Sequence, residues 1–87
     1  MANMSDAQKA YQQALVKMQS TTGVMIKDSD VAFVCLMIPH HQSAIDMARV
    51  VLKYGKDAET RKMAEGMIAA QEKEIGQMKA WLANKSP

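Results

Sequence analysis

One cysteine, four aromatic residues and no run of like charge mark this 87-residue chain by what it lacks. Cys35 has no second cysteine to meet, which excludes an intrachain disulfide and any Cys-x-x-Cys metal or redox motif. It reads as an inert thiol, buried or half-buried, with intermolecular pairing or soft-metal ligation as alternatives. Eleven basic and nine acidic residues are scattered to a net charge of +2, and the longest basic run is the pair Arg61-Lys62. A nucleic-acid surface needs clustered basic residues with stacking aromatics, and Tyr11, Phe33, Tyr54 and Trp81 are too few and too dispersed for that. The longest apolar run, Val31 to Ile38, stops at Pro39, well short of the ~20 residues that cross a bilayer. The N-terminus shows neither a basic segment nor an apolar one behind it, so no export signal is expected in the chain as it stands, which fits a cytoplasmic protein or a domain whose leader has been removed. No Pro/Gly/Ser-rich linker divides residues 1–87, which predicts a single domain. A domain this small buries only about 60–65% of its unfolded surface, so a metal or a partner chain is an expected source of further stability.

What remains is helical in period. Ser5-Asp6-Ala7-Gln8 has the capping-box pattern, and Tyr11, Ala14, Leu15 and Met18 recur at helical spacing, predicting a helix from about Ser5 to Ser20 ended by Thr21-Thr22-Gly23. A short loop through Met25 follows. Asp28-Ser29-Asp30 predicts a second N-terminus, and Phe33, Val34, Met37, His41, Ala44, Ile45, Ala48, Val51 and Leu52 share one broad arc as far as Tyr54. Gly55 is expected as a left-handed residue behind that helix. Pro39 sits inside it and predicts a kink beside the histidines, with the Cys35 carbonyl deprived of its amide. Asp57 is the expected cap of a third helix ending near Asn84, on which Met63, Met67, Ala70, Gln71, Glu74, Met78 and Trp81 share an arc. Gly66 and Gly76 inside that helix predict close approach of another helix. The expected fold is all-α: a short N-terminal helix and a long antiparallel hairpin, whose four-helix core is completed by dimerisation.

Nine methionines, and two histidines set between two of them, carry the chemistry. Met37 and His41 are one turn apart, His40 and Met47 lie on the adjoining flank, and Met63, Met67 and Met78 offer thioethers from the facing helix. Thioether and imidazole are the donors that Cu(I) and Ag(I) prefer. Zinc would want three or four Cys, His or carboxylate ligands, and a di-iron bundle would want Glu-x-x-His pairs, which the chain lacks. Each methionine also has a plain reading as flexible core filler, and a buried histidine has one as a group satisfied by a carbonyl or by Glu74. No phosphate loop, nucleophile elbow or carboxylate pair indicates catalysis, so an enzyme is not expected.

The run Met-Ile-Pro-His-His-x-x-Ala-Ile-x-Met-Ala, then Lys-Tyr-Gly-Lys-Asp, then Ile-x-x-Gln-x-x-Glu-Ile-x-x-Met-x-x-Trp-Leu, resembles the domain-of-unknown-function 305 family over about residues 30–82. The resemblance implies a ferritin-like helical bundle. It implies metal-linked positions at Met37, His40, His41, Met47 and Met78, whereas Met63 and Met67 rest on the helical arc alone. Some members are periplasmic copper- or silver-binding proteins that contribute to metal resistance, so a cell-envelope location and a Cu(I) or Ag(I) cargo are expectations carried forward, beside the homodimer or higher homo-oligomer expected from the short chain and its partly covered hairpin. The rival expectation is a structural helical oligomerisation module with a methionine-rich core and no metal. A ferritin-like metal enzyme is the third.

Overall fold

The computed structural model describes residues 4–18 and 26–85. Three helices account for nearly all of them: α1 (Asp6–Met18), α2 (Ser29–Tyr54) and α3 (Ala58–Lys85), with no strand among the described residues. The fold is all-α, a short first helix followed by a long antiparallel hairpin. The end expected for the first helix at Ser20, its Thr21-Thr22-Gly23 terminator and the loop residue Met25 lie outside the described residues.

Each described helix start is closed by its own side chains. The Ser5 amide donates to Gln8 Oε1 at 2.7 Å and the Gln8 amide donates back to Ser5 Oγ at 3.1 Å, the reciprocal pair expected of a capping box. Asp28 Oδ1 accepts from the amides of Asp30 and Val31 at 2.9 and 3.0 Å. Asp57 Oδ2 accepts from the Thr60 amide at 2.8 Å and from the Thr60 hydroxyl at 2.7 Å. α2 is helical on both sides of Pro39.

The corner between α2 and α3 differs from expectation. Gly55 is not left-handed: it sits at φ −76°, ψ 149°, and no described glycine has a positive φ. Its amide still donates to the Val51 carbonyl, at 2.7 Å, and a Cβ on Gly55 would come within 2.6 Å of that oxygen. Glycine is required here for close approach, not for handedness. Arg61, which sequence reasoning did not single out, closes the corner from the other side, its guanidinium donating to the carbonyls of Leu52 at 2.6 Å and Gly55 at 3.1 Å. A cation there meets the negative end of α2. Gly66 and Gly76 also depart from expectation, since both are exposed and a Cβ on either would meet nothing within 4 Å.

Packing is in one layer. α2 is the middle helix, with α1 against one side and α3 against the other; the backbones of α1 and α3 do not pack on each other, and a side chain such as Tyr11 reaches toward α3. The molecule measures 48 × 32 × 14 Å, so its thin dimension is one helix deep. Ser43, buried, donates its hydroxyl to the Ala14 carbonyl at 3.1 Å and ties α2 to α1. The core among the described residues is correspondingly small: Ala14, Ile45, Ala48, Val50, Ala64 and Ile75.

Candidate metal centre

His41 is the fixed point of the site. Its Nδ1 lies 3.0 Å from the Met37 carbonyl one turn back, and its Nε2 lies 2.5 Å from Glu74 Oε2 on α3. A carbonyl can only accept, so Nδ1 carries a proton and Nε2 is the nitrogen that shares a proton with the carboxylate. Metal-ligating histidines are commonly oriented by this kind of Nδ1–H to backbone-carbonyl bond. The same two bonds also satisfy His41 as a structural residue.

Around that pair the hairpin forms an open cleft of about 340 Å³, lined by Phe33, Val34, Met37, His41, Glu74, Gln77, Met78 and Trp81. Met37 and His41 reach it because residues four apart on a helix lie on one face, and Met78 and Glu74 because they share the corresponding face of α3. A second cleft of about 400 Å³ opens nearer the hairpin corner and holds Met47, Met63 and Met67, walled by Tyr11, Ala44, Val51 and Thr60 among others. The candidate ligands are thus divided in two. Met67 and Met78 are eleven residues apart, about 16 Å along α3, too far to meet at one ion.

His40 lines neither cleft and is exposed. It shares a flank with Met47, but seven residues of helix separate the two by about 10 Å. Cys35 is a free, half-buried thiol that lines neither cleft. Among the described residues no three His, Cys, Asp or Glu side chains gather where they could hold a metal ion, so sulfur would have to supply most of any donor set. Between the clefts on α3, Gln71 Oε1 is buried without a hydrogen-bond partner.

The sequence model of the family described as "Domain of unknown function (DUF305)" matches residues 1–82. The chain belongs to that family. No curated protein matches it. The match takes in α1 as well as the hairpin, beyond the residues from about 30 onward that the motifs covered. Of the family-motif positions, Met37, His41 and Met78 converge on the first cleft, Met47 faces the second, and His40 stands apart. Tyr11 and Thr60, as walls of the second cleft, were missed by sequence reasoning. Tyr11 was legible only as part of the apolar stripe of α1, and Thr60 only as a residue following a cap. No helix among the described residues is long and apolar enough to cross a membrane.

Proposed function

We propose that this protein binds Cu(I) or Ag(I) through methionine and histidine side chains, as a sequestering or carrier protein in metal homeostasis and not as an enzyme. The supporting observation is the first cleft, where two thioethers and an imidazole of fixed tautomer share one opening. There Met37, Met78 and His41 Nε2 would hold the ion, with the Glu74 carboxylate giving up its bond to Nε2. Two soft thioethers with one imidazole suffice for a monovalent soft metal, and the thioethers disfavour Zn(II). Met47, Met63 and Met67 form a second thioether group, which supports more than one ion per chain. A cell-envelope setting, where such a cargo would be intercepted, and an assembly of at least two chains complete the proposal.

The rival reading, a structural module, is favoured by one observation: both ring nitrogens of His41 already have partners. Exposure counts against a methionine core within the single chain, because Met63 and Met67 are 58% and 56% exposed. Anaerobic titration with Cu(I), Ag(I) and Zn(II), read by native mass spectrometry, separates the two. Cu(I) or Ag(I) retained against excess Zn(II), with affinity falling at least about tenfold, roughly 1.4 kcal/mol, in the Met37→Leu/Met78→Leu double variant, is the expected result. Leucine keeps volume and apolarity, so apo stability should change by less than about 1.5 kcal/mol for each replacement. No Cu(I) or Ag(I) uptake, or uptake untouched by these replacements, would sink the metal reading at this cleft.

A further inference from the structure

We infer that the methionine-lined face of the helical layer is an interface between two copies of this chain, stacked face to face. The inference names the surface for the assembly half of the proposed function and rests on it; it does not depend on metal.

The two sides of the layer differ in kind. At 100° per residue, Phe33, Met37, Ala44 and Val51 fall within about 40° of one another on α2, with Gln42 and Arg49 about 150° away. On α3 the same count puts Met63, Met67, Glu74 and Met78 together and Glu72 and Lys79 opposite. Both apolar clefts therefore open on one side, and the other side has a cleft lined by Gln42, Arg49, Glu72 and Lys79. Of the large hydrophobic residues left exposed, Phe33, Met63 and Met67 are on the apolar side, at 56–60% exposure. Glu74 is the one carboxylate lining either apolar cleft, and it is already paired with His41, so covering the clefts strands no unpaired acid within them.

The exposed area suits a second copy. A compact monomer of 9.6 kDa exposes about 5,100 Å² by the usual scaling of surface with mass. This chain exposes 6572 Å². The excess, about 1,500 Å², belongs to the chain as a whole and not to this face alone, and it leaves room for the ~800 Å² that each partner buries in a standard stable interface. A second copy supplies a matching apolar face by symmetry, and an isologous pair closes without leaving a new edge. Two hairpins stacked this way make the four-helix core that one chain lacks, and each copy roofs the other's methionine clefts.

The test is sedimentation velocity of the metal-free full chain from about 10 to about 100 µM, a range chosen because standard-size interfaces have Kd values from micromolar to picomolar. The wild type should run at twice the 9.6 kDa chain mass. Met67→Lys, at an exposed position, should run as one chain with its helical circular dichroism unchanged, whereas Gln42→Lys, the same charge change on the polar side, should still pair. A wild type that stays at one chain mass overturns both the assembly and its surface. A pair dissolved by Gln42→Lys but not by Met67→Lys overturns the surface alone. Flotation of a monomeric wild type with phosphatidylglycerol vesicles would give the face to a lipid surface and likewise overturn the pairing. None of these results bears on the Cu(I) titration, whose failure would be seen separately.

Discussion

His41 faces two acceptors of different strength, and the contrast decides which bond a metal would break. The Met37 carbonyl holds Nδ1 from within the same helix turn, whereas Glu74 reaches Nε2 from α3 with its own side chain 52% exposed. An ion pair this open to solvent stabilises the fold by no more than about 1 kcal/mol. Glu74→Gln is therefore expected to lower thermal stability only slightly. It should leave Cu(I) affinity unchanged or tighter, because a neutral amide competes less for Nε2 than a carboxylate does. A tenfold loss of affinity in calorimetric titration would mean that Glu74 is itself a ligand and that the assignment of donors is wrong. Asp57 offers the other residue-scale test. The Thr60 hydroxyl first, and the Thr60 amide second, hold its carboxyl below the usual carboxylate range. A folded-state value lowered in this way makes its contribution to stability complete above the unfolded value of about 3.9 and lost as pH falls through the folded value. Asn caps a helix about as well and does not titrate, so Asp57→Asn should lose less stability than the wild type between neutral pH and about pH 3 in thermal melts.

At the scale of the helical elements, Gly55 and Gly76 have different physical roles. Gly55 lets the end of α2 approach the Val51 carbonyl, and Gly55→Ala places a Cβ 2.6 Å from that oxygen. Forcing the corner apart should cost about 1–3 kcal/mol. Gly76 is exposed in the interior of α3 with open space around it, and Gly76→Ala should stabilise by about 1 kcal/mol through helix propensity alone. Opposite signs in chemical denaturation would check the pair; a destabilising Gly76→Ala would restore the close helix approach that the structure does not contain. Legibility at this scale followed locality. The caps at Ser5, Asp28 and Asp57 could be read because each depends on residues within three positions. Arg61 could not, because the carbonyls it meets, Leu52 and Gly55, come near only after the chain has turned.

For the whole molecule, a layer one helix deep leaves stability dependent on what lies against it. Among the described residues six small or medium apolar side chains are buried, and the backbones of α1 and α3 do not pack together in a way that would curl the layer into a closed bundle. If two copies cover each other, folding and association are linked, and the melting temperature must rise with protein concentration. Calorimetry from about 5 to about 500 µM should show an upward shift of several degrees in the wild type and none in Met67→Lys. A concentration-independent melting temperature in both would mean that the exposed methionine face contributes nothing to stability by association.

The sequence by itself determined the helices, their caps, the antiparallel hairpin and the methionine-histidine arc, because helical period and capping are set by residues a few positions apart. Membership of the family could be read from the Met-Ile-Pro-His-His segment for a related reason: the motif is local. The tertiary structure decided how the arc divides. Met37, His41 and Met78 meet in one cleft and Met47, Met63 and Met67 in another, because the antiparallel register pairs each end of α2 with a different stretch of α3. It decided that His40 stands outside both, since adjacent residues diverge by about 100° and only one of two can face the hairpin. It decided, too, that α1 and α3 flank α2 on opposite sides, which turns a small bundle into a layer and leaves its methionine face open.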